Sequence, residues 1–299
     1  MKVAIVGSGI SGLAVAHTLR GRADITLFEA GSYFGGHTHT VDVTLPTPQG
    51  PVTHGVDTGF LVFNERTYPH LIKLFADLGV ATAKSDMSFS VQVPGVRNGG
   101  PLEWSGSTLS TVFAQRGNLL NWRFLRMLRD LMRFNALATR IAEAGQEAEL
   151  VQPLRDFLAT HDFSAEFRDW YFLPMLGCIW SCPTDQMLDF PVSTMIRFCH
   201  NHGLIQVSNR PQWWTVTGGA KHYVDKIVAG IADRRLNTPV QLIDRDEDGV
   251  HVITQGQAER FDKVVLATHS DQALALLDKP SAAERNVLGA IRYQPNRAV

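Results

Sequence analysis

The chain has 299 residues, 44% hydrophobic and 19% charged, with Lys plus Arg at 28 against Asp plus Glu at 29 for a formal net charge of -1. This is globular composition, which excludes disordered, collagenous and coiled-coil chains, and its balanced charge gives no global pull toward nucleic acid. Cys178, Cys182 and Cys199 are too few for a disulfide framework and lack the paired knuckles of structural zinc, so they read as reduced thiols of a cytoplasmic protein; no run of about 18 apolar residues offers a membrane span.

Lys2 to Val6 has the β-branched, apolar pattern of a buried parallel strand. Gly7-Ser8-Gly9-Ile10-Ser11-Gly12 follows directly, then Leu13, Ala14, Ala16 and Leu19 at helical spacing, and a second strand from Asp24 to Phe28 that ends in Glu29. Lys2, the apolar run and Ala14-Val15-Ala16 imitate a secretion signal. The order strand, G-x-G-x-x-G, helix, strand and terminal acid instead makes this a dinucleotide-binding βαβ unit, the start of an α/β, Rossmann-like domain. Gly7 permits the tight turn, Gly9 lets the backbone approach a pyrophosphate, and Gly12 lets helix and strand pack closely. Glu29, 17 residues after Gly12, would accept hydrogen bonds from the adenosine ribose, and its charge disfavours NADP.

Val41 to Leu45 and Val52 to Val56 alternate around Pro46-Thr47-Pro48-Gln49-Gly50, predicting a β-hairpin with a loose loop. Tyr68 to Leu78 is helical and closed by Gly79, Ser88 to Val93 alternates as a strand, and Gly99-Gly100-Pro101 is a turn. Asn118 to Ala144 is the longest helical pattern. On it Arg126, Arg129, Arg133 and Arg140 form one stripe, and with Arg123, Asp130 and Glu143 the segment carries +3. That stripe suits either peripheral contact with an anionic bilayer or, more commonly, a solvated face on a core helix. Asp169 to Phe190 is dense in Trp170, Tyr171, Phe172, Leu173, Met175, Leu176, Ile179 and Trp180, the composition of a substrate pocket or equally of a core. Trp213 and Trp214 precede the Gly218-Gly219 turn, where the interface of two domains is expected. Four apolar residues after Lys263 make a strand over Phe261 to Thr268, leading into a helix from Gln272 to Leu277. His37/His39 and His200/His202 lack the further ligands of a metal site, so no metal is expected.

Several of these segments together resemble the flavin-dependent amine oxidase superfamily. They are Gly35-Gly36-His37-Thr38-His39-Thr40-Val41, Val56-Asp57-Thr58-Gly59-Phe60-Leu61-Val62-Phe63-Asn64, Ile179-Trp180-Ser181, Phe198 to Leu204 and Gly218-Gly219 with Tyr223. The closest likeness is to a bacterial group of NAD/FAD-binding, amine-oxidase-like proteins often encoded beside cyclopropane-fatty-acid synthase. The resemblance implies FAD as cofactor, with Gly7, Gly9, Ile10, Ser11, Gly12, Glu29, Ala30, Gly35, Gly36, His37 and Thr38 around it. It further implies that Val240, after Asn237-Thr238-Pro239, meets the adenine and that Ala267-Thr268 passes near the diphosphate. The implied fold is a glutathione-reductase-like FAD domain formed by 1-75 and 215-299, with an α+β substrate domain of 76-214 inserted. The superfamily's last FAD-contacting segment would lie beyond Val299, so the expectation is a chain missing its C-terminal part, ending in a substrate-domain strand that starts near Ile291.

The function so implied is an FAD-dependent oxidoreductase that oxidises or desaturates an apolar amine or acyl lipid by hydride transfer to flavin, with no catalytic residue legible. Flavin oxidation needs little from side chains beyond aim and exclusion of water. The rival class is a non-catalytic FAD- or NAD-binding scaffold associated with lipid modification. No nucleic-acid partner is expected, and nothing in the residues sets the oligomeric state.

Overall fold

Val3, Ala4, Ile5 and Val6 are all buried in β1 (Lys2–Val6), and so are Ile25, Thr26, Leu27 and Phe28 in β2 (Asp24–Phe28). Strands buried on both faces cannot show alternation, which is why each reads as a continuous apolar run. The computed structural model describes residues 1–97, 99–146, 150–180, 183–206 and 210–293. These fall into two units, one of Met1–Phe63, Tyr68–Lys84 and the chain from Trp214 on, the other of Asn64–Thr67 and Ser85–Trp213.

In the first unit, α1 (Ile10–Leu19) joins β1 to β2, and β3 (Thr40–Thr47) pairs antiparallel with β4 (Gly50–Asp57). The pairing runs to Thr47 with Gly50, so a two-residue turn of Pro48 and Gln49 replaces the expected loose loop. Gly50, at φ +113°, supplies the backbone freedom that the tight connection needs. Then come β5 (Phe63–Asn64), α2 (Pro69–Leu78), closed by left-handed Gly79, and β6 (Thr82–Ser85).

The second unit holds the β-ribbon β7 (Ser90–Arg97) and β8 (Gly100–Ser105), then α3 (Leu109–Val112), a 3₁₀ turn (Arg116–Leu120) and α4 (Trp122–Glu143). The expected start of the long helix at Asn118 moves to Trp122, because the Asn121 side chain caps it by accepting from Arg123 N (3.2 Å) and Phe124 N (3.4 Å). Shorter helices follow: α5 (Leu154–Thr160), α6 (Ala165–Phe167), α7 (Leu173–Trp180), α8 (Thr184–Met187) and α9 (Val192–Asn201), with a π-helical turn over Arg168–Phe172. Trp170 to Leu173, Met175 and Leu176 belong to this unit's buried cluster with Phe124, Phe134, Phe157 and Phe167, so the apolar stretch is core. Of the quoted Ile179-Trp180-Ser181, Ser181 lies outside the described residues, as does Cys182.

The arginine stripe of α4 is only partly a solvated face. Asp130 is wholly buried and accepts from Arg129 (3.0 Å), Arg133 (2.8 Å) and Ser164 N (3.0 Å), while Arg123 donates to buried Glu166 at 2.6 Å. The arginines thus carry buried carboxylates that would otherwise be costly in the core.

The chain returns through β9 (Trp213–Val216), α10 (Lys221–Val228), β10 (Asp233–Arg235), the antiparallel β11 (Val240–Asp246), β12 (Gly249–Thr254) and β13 (Gln257–Phe261), then β14 (Lys263–Leu266), α11 (Ser270–Leu276) and α12 (Ala282–Leu288). A parallel sheet is completed in the order β10-β2-β1-β14. Phe261 belongs to β13 rather than β14, and the helix expected from Gln272 begins at Ser270. Ile291 to Tyr293 form no strand, and 294–299 lie outside the described residues.

Candidate functional site

The parallel strands β1, β2, β10 and β14 end on one edge of their sheet, with Val6 level with Phe28 and Leu266. Ligands of open α/β sheets bind in the crevice beyond the carboxyl ends of the strands. There the first unit has a cleft of about 980 Å³. Gly7, Gly9, Ile10, Ser11, Glu29, Ala30, Gly35, Gly36, His37, Thr38, Val240, Ala267 and Thr268 all line it. These positions come together from sequence separations of more than 200 residues. Gly12 alone among the expected residues does not line the cleft.

The glycines differ in what they permit. Gly7 sits at φ +99°, and a Cβ there would lie 2.6 Å from the Ala267 carbonyl oxygen. A Cβ on Gly12 would stand 2.0 Å from the Gly7 carbonyl oxygen, so Gly12 brings α1 against the turn itself. Gly9 has open space where its Cβ would be. It also caps α1 with no side-chain hydrogen bond, and the first turn has no acidic residue. The free N–H groups at this helix end therefore face the cleft uncapped, with the positive end of the helix dipole behind them. An open space at Gly9 beside an uncapped helix terminus is what a dinucleotide diphosphate fits.

Ser8 and Glu29 tie the turns together. The Glu29 carboxylate accepts from Ser8 N (3.0 Å) and Ser8 Oγ (2.5 Å) on one oxygen and from Gly31 N (2.8 Å) on the other. Gly35 N in turn donates to Ser8 Oγ at 3.1 Å, linking the first glycine turn to the glycine pair. Glu29 N donates to Arg235 O (2.8 Å) and Thr238 N to Glu29 O (2.9 Å), so β10 and the approach to Val240 are anchored on the same residue.

At the other end, Thr38 Oγ1 and the Tyr223 hydroxyl share a buried hydrogen bond of 2.5 Å. Burial raises the Tyr223 phenol; the Thr38 hydrogen bond only partly offsets this. Tyr223 is aimed by α10, whose amino end has no local cap. Asp57 accepts from Ala220 N (2.9 Å), and Thr40 Oγ1 accepts from Lys221 N (2.9 Å) while donating to Asp57 at 2.5 Å. Phe60 N donates to His37 O (3.1 Å), bringing Phe60 to the cleft edge-on to Tyr68, whose phenol burial also raises. His37, His269 and Tyr293 stack in parallel, with ring centroids 6.2 and 4.7 Å apart.

Sequence patterns alone missed Ser8, Phe60, Tyr68, Leu71, Tyr223, His269 and Gln272 as lining or organising residues. Ser8 occupies a free position of the glycine motif, Phe60 and Tyr223 stand in family-like segments without a role attached to them, and Tyr68, Leu71, His269 and Gln272 lie outside any motif. Among the described residues, no three His, Cys, Asp or Glu side chains converge as metal ligands. No helix among them is long and apolar enough to cross a membrane.

A family model described as flavin containing amine oxidoreductase matches residues 10–299. Among curated proteins, none matches significantly. Solved structures of similar fold include a putrescine oxidase variant from work on redesign of cofactor binding, with TM-score 0.67 at 20% identity over 96% of this chain and 62% of that one. Cyclohexylamine oxidase from Brevibacterium oxydans matches with TM-score 0.67 at 21% identity, over 96% and 62% of the two chains. A CLA-producing fatty acid isomerase from P. acnes matches with TM-score 0.57 at 18% identity, over 96% and 63%. The chain spans less than two thirds of the length of these structures.

Proposed function

The chain belongs to the flavin-containing amine oxidoreductase family, and from that premise we propose that it is an FAD-dependent oxidoreductase acting on an apolar amine or an acyl lipid. The observation that supports this most is the uncapped amino end of α1 beside open space at Gly9, in a cleft large enough for a dinucleotide. The N–H groups of Ile10 and Ser11 hold the diphosphate, Glu29 takes the adenosine ribose on its less occupied oxygen, Val240 meets the adenine, and the Gly36 to Thr38 backbone lies along the flavin. Bound FAD supplies the hydride acceptor. Phe60 and Leu71 keep that end of the cleft apolar and exclude water. Tyr223, its phenol raised by burial, stays protonated at neutral pH and holds Thr38 rather than serving as a base.

Putrescine oxidase and cyclohexylamine oxidase act on amines and the fatty acid isomerase on an acyl chain, and these two substrate classes frame the choice here. A cytoplasmic setting is supported by Cys178 and Cys199, both free thiols among the described residues.

The test is the visible absorption spectrum of the purified chain, identification of any cofactor released by heat, and anaerobic bleaching by candidate amines and unsaturated fatty acids. Bound FAD that bleaches with one class supports the reading and selects the substrate. Stoichiometric NAD without flavin would overturn the cofactor, and a bound flavin inert to every candidate would favour the scaffold role.

A further inference from the structure

Leu119 is 50% exposed, Leu120 92%, Trp122 66% and Leu125 42%, four large apolar side chains within seven residues at the start of α4. The backbone that presents them is held firmly. Asn118, in the same 3₁₀ turn, is fully buried, the Asn121 side chain caps α4, and Phe124 is fully buried against Phe113 with ring centroids 5.9 Å apart. The apolar tip is therefore a built feature of the second unit.

The charge along this stretch of chain is one-sided. From Trp104 to Arg129 there is no acidic residue, while Arg116, Arg123, Arg126 and Arg129 all fall in that stretch of a chain whose net charge is -1. At about 100° per residue, Trp122, Arg126, Arg129 and Arg133 share one stripe of α4, and exposed Met132 lies beside it. An apolar tip thus leads a basic stripe along one helix.

We propose that this tip, Leu119, Leu120, Trp122 and Leu125, seats in the interface of an anionic lipid bilayer, with Arg116 and Arg126 against its headgroups. Few apolar side chains plus adjacent cations suffice for peripheral membrane binding, and Trp favours the headgroup level. A stable dimer needs roughly 800 Å² from each partner, far more than four side chains supply. The seat is independent of the cofactor reading, since none of these residues lines the cleft. It also differs from a contact through the whole arginine stripe, because Arg129 and Arg133 are engaged with Asp130.

The full chain is sedimented with vesicles of phosphatidylcholine alone and of phosphatidylcholine with an equal part of phosphatidylglycerol. At least tenfold stronger partitioning onto the anionic vesicles is expected, falling tenfold or more in Leu119→Asp/Leu120→Asp and, on anionic vesicles only, in Arg116→Glu/Arg126→Glu. Melting temperature and flavin content of the variants should match the parent; if the double aspartate variant does not fold, Leu120→Ser, at the most exposed position, replaces it. A parent chain that stays in the supernatant with both vesicles, or tip variants that sediment as the parent does, would overturn the proposal. So would self-association of the parent that the tip variant abolishes, which would assign the tip to a second copy. Because sedimentation does not read flavin, a chain purified without cofactor that still binds anionic vesicles would separate failure of the cofactor reading from failure of this one.

Discussion

A side chain at Gly9 would enter open space, and the residue's φ of -63° and ψ of 176° suit any amino acid. Gly9→Val is therefore expected to fold with a melting temperature close to the parent's yet to purify without flavin; a yellow, folded variant would contradict the diphosphate site. At Gly12 the cost falls on folding, because a Cβ would stand 2.0 Å from a carbonyl oxygen. Gly12→Ala should lose about 1–3 kcal/mol in urea denaturation, the range of an overpacked core. Glu29→Gln offers a finer test. Both carboxylate oxygens accept from N–H donors, at Ser8 and Gly31, and an amide can satisfy only one side in either orientation. Gln should therefore rescue FAD affinity little, with a loss near that of Glu29→Ala, on the order of 1.5–3 kcal/mol per charge-assisted bond, read by cofactor titration. The glycine frame and Glu29 could be read in the sequence because their spacing is dictated by the backbone of a βαβ unit. Ser8 could not, because its role depends on Gly35, 27 residues away.

The helix α10 shows the same limit one level up. Its amphipathic pattern is local, but its cap is not: Ala220 cannot accept a hydrogen bond through its side chain, and Asp57, 163 residues earlier, does so instead. Asp57→Ala should cost about 0.5–2 kcal/mol, as loss of an N-cap acceptor does. It should also loosen Tyr223 on Thr38, which a shift in the bound flavin's absorption maximum would read if Tyr223 positions the Gly36 to Thr38 backbone. Elements with a continuous apolar run or a clear terminator, such as β1, β2 and α2 with its Gly79, stand in the sequence nearly at their observed ends. β10 does not, since Asp233, Arg234 and Arg235 are all charged; its Arg235 is fixed by ion pairs to Asp233 and Glu259, contacts made only after folding. The tight hairpin turn at Pro48-Gln49 was obscured because Pro46 and Pro51 look like loop residues, although in a two-stranded ribbon their missing N–H groups leave the edge unharmed.

Each unit has its own buried clusters, and each responds to a different chemical variable. The cleft residues belong to the first unit, so FAD bound there should stabilise that unit by RT ln(1 + [L]/Kd), about 2.7 kcal/mol at a hundredfold excess over Kd. The second unit holds Asp130. Burial pushes its carboxyl up, but the hydrogen bonds from Ser164, Arg133 and Arg129 outweigh this and hold it at about 2, below its usual 3.8. Its folded pKa is depressed, so unfolding takes up a proton between these values, and the stabilisation present above pH 3.8 is lost as pH falls toward 2. Amide exchange followed by region should therefore slow with FAD in 1–63, 68–84 and 214–293, and quicken on acidification through that window around Ser164 and α4. Asp130→Asn keeps an acceptor for Ser164 N but cannot titrate. It should be less stable at neutral pH and flatten the acid dependence around α4, while leaving the slowing by FAD unchanged. An acid response around α4 that persists undiminished in Asp130→Asn would show that other carboxylates carry it.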